Sequence, residues 1–167
     1  MGPTSYIDFG SDLGWFVKQF TNMGFDAYGL DRDEPANQIA CHKTGVPADK
    51  IITQELVAGL DEFIREGRTF DCTSCLSVLH HFVRQIRGNE GTSADETLSK
   101  LAQVTGRVMF YDMGQDHEKV KGFTPAYIQS WLQEKGRFRE VIALGVDTDN
   151  VGKYRHAYKR TLFACLK

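Results

Sequence analysis

Short apolar runs alternate with amphipathic segments along most of the chain. The apolar runs have the length of strands, and the segments between them repeat apolar residues at the three- and four-residue intervals of helices. The predicted strands are the run that ends at Asp8 and those at 26–31, 51–53, 69–77 and 107–112. Helices are predicted from Trp15, from Pro35, from Leu56, from Ser93 and from Thr124. Three of them are predicted to end at Gly24, Gly67 and Gly106.

The spacing of apolar side chains also predicts which faces of these elements pack into the core. On the first helix the predicted core residues are Trp15, Phe16, Phe20 and Met23, and on the third helix they are Leu56, Leu60, Phe63 and Ile64. On the fifth strand they are Val108 and Phe110, with Met109 left open. On the last helix they are Tyr127, Ile128, Trp131 and Leu132.

The chain ends in two predicted strands, 139–146 and 157–166, with only the polar segment 147–152 between them. Strands joined without a helix are antiparallel neighbours. Before this pair, a strand–helix unit recurs about five times, and such alternation predicts a parallel sheet with helices on both faces. The sequence therefore predicts an α/β fold with a doubly wound, mostly parallel sheet that a strand pair closes.

The composition is that of an ordinary globular protein and excludes several classes. A chain of 167 residues predicts one domain, residues 1–167, and a net charge of −2 argues against a general nucleic-acid-binding surface. No apolar run approaches the length of a membrane span, and the first residues lack the pattern of a signal peptide. We therefore expect a cytoplasmic location, and the oligomeric state stays open.

Two cysteines, Cys72 and Cys75, have the C-x-x-C spacing of zinc and redox sites. They lie within a predicted strand, where side chains three residues apart point to opposite faces. No second ligand pair with metal spacing occurs in the sequence. We therefore interpret both as buried thiols and expect no metal site.

A turn with two glycines, Gly10 and Gly14, follows the first strand, and a second acid, Asp31, ends the second strand. In nucleotide-binding βαβ units, such glycines allow a sharp turn beside a ligand, and an acid about twenty residues on binds ribose hydroxyls. Asp12 stands where the dinucleotide fingerprint G-x-G-x-x-G has a glycine, and its charge would repel a pyrophosphate. A nucleoside that carries a sulfonium and an ammonium is compatible with that charge.

The stretch from Asp8 to Gly14, taken with Asp31, resembles the first motif of the class I S-adenosylmethionine-dependent methyltransferases, D-x-G-x-G-x-G. The resemblance implies a Rossmann-like, seven-stranded sheet with an antiparallel last strand, one methyltransferase-like domain and S-adenosyl-L-methionine as cofactor. It also implies that the glycine loop lines the methionine part of the cofactor and that Asp31 holds the ribose. The implied cofactor-binding residues are Asp8, Gly10, Ser11, Asp12, Gly14, Asp31, Arg32, Thr53, Ser74 and Cys75.

Residues 70–82 resemble a second segment of the same family, F-D-x-x-x-x-x-x-V-L-H-H-F. The resemblance implies that the backbone of 74–77 flanks the cofactor and that His80 or His81 faces the substrate. The implied catalytic residues are His80, His81 and Asp112, since histidine has the pKa of a base near neutral pH. The alternative for the two histidines is a helix start with one ring hydrogen-bonded and the other solvated.

The candidate acceptor-binding residues lie at or beyond strand ends or in a local group of cations, and they are Tyr111, His117, Arg155 and Arg160. Several cations between Lys153 and Arg160 form a basic cluster before and within the last strand, which could receive a phosphate or carboxylate. The alternative is an edge or loop strand whose charges prevent self-pairing.

Segments 123–128, 149–152 and 158–163 are similar to methyltransferase domains linked to kinases in bacterial O-antigen chain terminators, which methylate a sugar or its phosphate. The predicted function is therefore methyl transfer to a small-molecule or carbohydrate-type acceptor, possibly a phosphorylated one. Two alternatives stay open: a non-catalytic methyltransferase-like binding module, and an enzyme dependent on a nucleotide sugar or NAD(P).

Overall fold

The computed structural model describes residues 4–84, 92–114, 123–147 and 160–167. Seven strands in these segments form one sheet: β1 (Ser5–Phe9), β2 (Asp26–Asp31), β3 (Ile51–Thr53), β4 (Phe70–Leu76), β5 (Thr105–Asp112), β6 (Glu140–Asp147) and β7 (Arg160–Leu166). Their order is β3-β2-β1-β4-β5-β7-β6. β2 is parallel to β1 and to β3, whereas β7 is antiparallel to β5 and to β6. The predicted α/β fold with an antiparallel last strand is confirmed.

Six α-helices connect these strands: α1 (Trp15–Asn22), α2 (Glu34–Ile39), α3 (Leu56–Arg65), α4 (His80–Val83), α5 (Ala94–Val104) and α6 (Pro125–Gly136). A π-helical turn, Ala40–Thr44, prolongs α2, and the helix predicted from Pro35 is confirmed. None of the helices within the described segments is both long enough and apolar enough to cross a membrane.

By its contacts the chain divides into two compact units. Unit 1 consists of Met1–Ser74 and Gln103–Arg107, and unit 2 consists of Cys75–Ala102 and Val108–Lys167. A single domain over residues 1–167 stays a prediction.

In unit 1, α1 buries a different face from the one that its aromatic residues predicted. Val17 is fully buried, whereas Trp15 is 58 % and Met23 is 69 % exposed. Gly29 on β2 explains the difference, since a Cβ at that position would lie 2.9 Å from Val17 Cγ2. The missing side chain lets the β-branched Val17 approach the sheet, and only Phe20 of the predicted stripe stacks on the core residue Tyr6.

In unit 2, the face that β5 buries also differs from the prediction. Met109 and Tyr111 are fully buried, whereas Val108 and Phe110 are partly exposed. Because side chains alternate along a strand, an error of one residue exchanges the two faces. Gly106 does not end α5 as predicted, because α5 stops at Val104 and β5 begins at the next residue.

The last helix and the last strand carry two further corrections. Thr124 caps α6, with its side chain accepting from Tyr127 N–H, and that N-terminal position leaves the Tyr127 ring 48 % exposed. Ile128, Trp131 and Leu132 are buried as predicted. The described part of β7 lies between β5 and β6, so the interpretation of this strand as a charge-protected edge is wrong. Of the basic cluster, only Arg160 lies within the described residues.

Asp71, at the start of β4, forms hydrogen bonds with the beginning of β1 in unit 1. Its Oδ2 accepts from the N–H and hydroxyl groups of Thr4 and of Ser5, at 2.9 to 3.1 Å. Ser5 Oγ in turn accepts from Asp71 N–H at 2.9 Å. The pKa of Asp71 is lowered, first by the Thr4 N–H and then by the Ser5 N–H, because both stabilise the ionised form.

We expect Asp71→Ala to lower the free energy of unfolding by about 1–2 kcal/mol, measured by urea denaturation at pH 7. The contribution of a carboxyl whose folded-state pKa is lowered is complete above its ordinary pKa and is lost as pH falls through the folded-state value. The difference between wild type and variant should therefore shrink in acid. Asp49→Ala, at an exposed position, is the matched control, and equal losses in both variants would contradict the assignment.

Candidate functional site

The loop between β1 and α1 is a left-handed turn tied to the neighbouring strand. Gly10 has φ +81° and Gly14 has φ +71°, which glycine adopts without strain. Leu30 O, near the end of β2, accepts from Gly10 N–H at 2.8 Å and from Ser11 N–H at 3.2 Å. The loop therefore lies at the carboxyl ends of β1 and β2, where open α/β sheets bind ligands.

Asp12, which replaces a glycine of the resembled motif, preserves the loop backbone. Its φ is +44°, in the left-handed region that aspartate tolerates better than most residues. Its N–H donates to Asp31 Oδ2 at 3.0 Å. The departure from the motif thus adds a negative charge to the loop at a position where the backbone is left-handed.

Gly14 is required by packing as well as by its backbone conformation. A Cβ at this position would lie 2.8 Å from Ala40 Cβ, on the π-helical turn. Gly14 N–H donates to Ser11 O, and Gly14 O accepts from Lys18 N–H, so the residue joins the loop to α1. The close approach of Ala40 therefore leaves no room for a side chain at position 14.

The Asp31 carboxylate accepts hydrogen bonds from the loop after β1 and from the loop after β2, and it can accept further ones from a ligand. Its Oδ2 accepts from Asp12 N–H, and its Oδ1 accepts from Asp33 N–H at 2.9 Å. An ionised carboxylate has about four acceptor sites, so further donors can bind to each oxygen. This geometry fits the two hydroxyls of a ribose.

Asn37, which the sequence analysis did not identify, connects Asp31 with Thr53. Its Nδ2 donates to Asp31 O and to Thr53 Oγ1, both at 3.0 Å. Thr53 also lies opposite Asp31 in the register of β3 and β2. Because Thr53 accepts from Asn37, its own hydroxyl proton is available to another acceptor. The signal in the sequence is a polar residue on the buried face of α2, beside Ala36 and Ala40.

Arg32, one of the predicted cofactor-binding residues, pairs with Glu55 across the loops that follow β2 and β3. The Arg32 Nη1 to Glu55 Oε1 distance is 3.4 Å, and both side chains are well exposed. An exposed pair of this kind contributes little to stability, so the two side chains can separate at low cost.

Asp8, the residue before the end of β1, is a buried carboxyl, only 3 % exposed. The Ser74 hydroxyl donates to Asp8 Oδ1, so Ser74 Oγ accepts from the hydroxyl of the fully buried Tyr6. Burial raises the pKa of Asp8 to about 7 against the lowering effect of the Ser74 hydrogen bond, and the charges of Asp31 and Asp12 raise it further. The predicted cofactor residue Ser74 is thus bonded to Asp8.

Two further predicted cofactor residues, Ser11 and Cys75, are buried. Ser11 Oγ, in a residue only 5 % exposed, has no hydrogen-bond partner among the described residues. A Cβ on Gly29 would lie 2.6 Å from this oxygen, so the Ser11 side chain packs against β2. The Cys75 thiol is fully buried in β4, so only its backbone is available for the predicted contact.

In unit 2, Asp112 is the centre of a second polar cluster. Its Oδ1 accepts from Ser77 N–H, from the Ser77 hydroxyl and from Gly114 N–H, at 2.8 to 3.0 Å. Arg160 Nη1 lies 3.8 Å from Asp112 Oδ2 and donates to Ser77 Oγ at 3.0 Å. Burial raises the pKa of Asp112, opposed first by Arg160 and then by the hydrogen bonds. The structure thus brings together the predicted residues Asp112 and Arg160, through Ser77.

The other predicted residues of unit 2 lie in different surroundings. His80 is 2 % exposed, and its ring centroid is 3.8 Å from that of His81 at the start of α4. The fully buried Tyr111 donates its hydroxyl to Met113 Sδ at 3.3 Å. His117 and Arg155 lie outside the described residues. Across the described segments, no three His, Cys, Asp or Glu side chains are grouped to hold a metal ion.

The raised pKa of Asp8 has a measurable effect on stability. Because folded Asp8 keeps its proton up to about pH 7, the folded state binds more protons than the unfolded state between about pH 4 and 7. The free energy of unfolding should therefore fall as pH rises through this range. Relative to Asp8→Asn, wild type should lose stability from pH 4.5 to 7.5 in urea titrations. Parallel pH profiles of the two proteins would contradict the raised pKa.

No protein-family profile matches the sequence, and no curated protein matches it significantly. Solved structures do match its fold. The bifunctional kinase-methyltransferase WbdD aligns with a TM-score of 0.70 at 17 % identity, over 98 % of this chain and 35 % of that one. The chain therefore spans about a third of WbdD.

This chain covers a larger share of two other solved structures than it does of WbdD. Magnesium protoporphyrin IX methyltransferase from Synechocystis PCC 6803, with S-adenosylmethionine bound, has a TM-score of 0.66 at 22 % identity, over 99 % of this chain and 71 % of that one. An S-adenosylmethionine-dependent methyltransferase from Archaeoglobus fulgidus has a TM-score of 0.68 at 13 % identity, over 99 % of this chain and 87 % of that one. The chain has the fold of the class I S-adenosylmethionine-dependent methyltransferases.

Proposed function

We propose that this chain binds S-adenosylmethionine at the β1–α1 loop of unit 1 and transfers its methyl group to a small-molecule or carbohydrate-type acceptor. The observation that carries the proposal is the Asp31 carboxylate, which accepts from the loop at Asp12 and keeps acceptor sites for ribose hydroxyls. The fold shared with methyltransferases supports the same cofactor.

Each part of the cofactor has a proposed partner in unit 1. Asp31 binds the ribose hydroxyls, and Arg32 with Thr53 contacts the adenine. Gly10, Ser11 and Gly14 line the methionine part with the backbone of the loop. Asp8 and Asp12 supply negative charge, and Ser74 positions Asp8.

The bound cofactor supplies a methyl group on a sulfonium, which is already activated for in-line displacement. The residues of the chain therefore need to align the acceptor, exclude water and accept a proton from it. We assign the proton to His80 or His81, since histidine titrates near neutral pH. Asp112, with three donors on one oxygen, acts as a positioning residue for Ser77 and Arg160.

For the acceptor, we propose a carbohydrate-type molecule that carries an anionic group. Arg160 offers a guanidinium that can bind phosphate or carboxylate, and Tyr111, His117 and Arg155 belong to the same proposed set. The resemblance of segments 123–128, 149–152 and 158–163 to kinase-linked methyltransferase domains supports this class of acceptor. The match to a kinase-methyltransferase is consistent with it.

We expect Asp31→Ala to weaken binding of S-adenosylhomocysteine about 10- to 100-fold, because ribose hydroxyls lose a charged acceptor. Isothermal titration calorimetry measures the dissociation constants. Asp26→Ala is the matched control, since Asp26 lies at the opposite end of β2 and pairs with Lys50. Equal affinities in wild type and Asp31→Ala, or no binding to wild type at millimolar ligand, would refute the cofactor assignment.

A binding module without catalysis is the second candidate. It is favoured by Asp112, whose Oδ1 is engaged by three donors, and by the burial of His80. Incubation with S-adenosylmethionine and a panel of sugars and sugar phosphates separates the two candidates by mass spectrometry. A methylated product that His80→Ala or His81→Ala reduces supports the enzyme. Tight cofactor binding with no product from the panel supports the module.

A further inference from the structure

Three carboxyl groups of unit 1 gather around the β1–α1 loop. Asp8 is buried near the end of β1, Asp31 ends β2, and Asp12 lies on the loop between them. Asp12 is joined to Asp31 by its N–H. The charges with the largest effect on Asp8 are those of Asp31 and Asp12, and both are negative.

This arrangement is electrostatically unfavourable without a ligand. Ser74 on β4 supplies one hydroxyl to Asp8, and its own oxygen accepts from Tyr6 on β1. A single neutral hydroxyl compensates poorly for the burial of a carboxylate beside like charges. Burial and these like charges therefore disfavour the ionised form of Asp8 and raise its pKa to about 7.

The backbone of the loop does not require an acid at position 12. A glycine adopts φ +44° with less strain than aspartate, and the bond to Asp31 uses the backbone N–H of Asp12. The Asp12 side chain is exposed, so its charge is available to a molecule that lies over the loop. The carboxylate is thus an addition to a turn that is complete without it.

We propose that Asp8 and Asp12 make this site selective for charge, so that it prefers the sulfonium form of the cofactor to the neutral thioether left after methyl transfer. This inference rests on the proposed function, because it concerns the same site. The two ligands share the adenosine, ammonium and carboxylate groups and differ in one methyl group and one positive charge. That charge is attracted by Asp12 and favours ionised Asp8, whereas the thioether gains neither interaction.

Ionisation of Asp8 couples this preference to pH. A cation that enters the site favours the ionised form, so the Asp8 proton leaves to solvent when the sulfonium ligand binds. If the ligand lowers the pKa of Asp8 by about one unit, affinity for S-adenosylmethionine rises about fivefold from pH 6 to 8 through this group. The weaker coupling of the thioether predicts a smaller rise, so product release becomes easier relative to cofactor binding as pH increases.

The test compares three ligands by calorimetry: S-adenosylmethionine, S-adenosylhomocysteine and sinefungin, in which an amine-bearing carbon replaces the sulfonium. Asp12→Asn keeps the size and the left-handed tolerance of the residue and removes its charge. We expect this variant to reduce the preference for the two cationic ligands over S-adenosylhomocysteine about three- to tenfold. Asp49→Asn, at an exposed position of unit 1, should leave the preference unchanged.

Asp8→Asn tests the coupling to pH. The ligand's α-amino group also titrates near neutral pH, but it does so equally with wild type and variant. We expect the variant to lose the extra pH dependence of S-adenosylmethionine binding and the extra proton release, measured in buffers of different ionisation heat. The Asp12→Asn experiment remains valid if the buried Asp8→Asn substitution impairs folding.

The outcomes separate this inference from the proposed function. If wild type binds S-adenosylhomocysteine but Asp12→Asn shows an unchanged preference for the cationic ligands, charge selection is refuted and the cofactor assignment stands. The role of Asp8 would likewise be refuted if Asp8→Asn matched wild type in two measurements. These are the preference for the cationic ligands over S-adenosylhomocysteine and the proton release on S-adenosylmethionine binding. If no ligand binds to wild type, both the proposed function and this inference fail.

Discussion

Three consecutive residues at the end of β2 hold the loop on which the candidate site depends. Gly29 provides the space in which Ser11 and Val17 approach the sheet. Leu30 O accepts from two loop N–H groups, and the Asp31 carboxylate accepts from a third, that of Asp12. Since the loop has three left-handed residues, these bonds compensate for a backbone that few sequences adopt unaided. The acid that we propose to bind the ribose is therefore also a structural part of the loop.

The strands and helices were predictable because each depends on local signals. The bounds of β2 and β3 agree with the predicted 26–31 and 51–53, and Thr124 begins α6 as its capping chemistry indicates. The buried faces of α1 and β5 were not predictable in the same way. A stripe of large residues indicates that a face is apolar, but which face meets the sheet depended here on Gly29, a residue of another element. In β5 the observed buried residues lie one position after the predicted ones, which exchanges the two faces of the strand.

The candidate site was predictable as a backbone motif and only partly as a set of side chains. The spacing of Asp8, Gly10, Gly14 and Asp31 requires a turn that only a few residue types form, so it is visible in the sequence. The partners of those side chains depend on strand order. Ser74 meets Asp8 at a separation of 66 residues, and Asn37 reaches Thr53 from another element. No local pattern records such pairs.

Two buried carboxyl groups, Asp8 and Asp112, show how surroundings assign different roles to the same side chain. Burial raises the pKa of each, but Asp112 has three donors on Oδ1 and a guanidinium beside Oδ2. Its interactions are complete within unit 2, as expected of a group that holds Ser77 and Arg160 in place. Asp8 has one hydroxyl donor, and the charges that act on it most strongly repel its ionised form. A cation from outside the protein would relieve that repulsion, so of the two carboxyls Asp8 is the one whose protonation responds to a charged ligand.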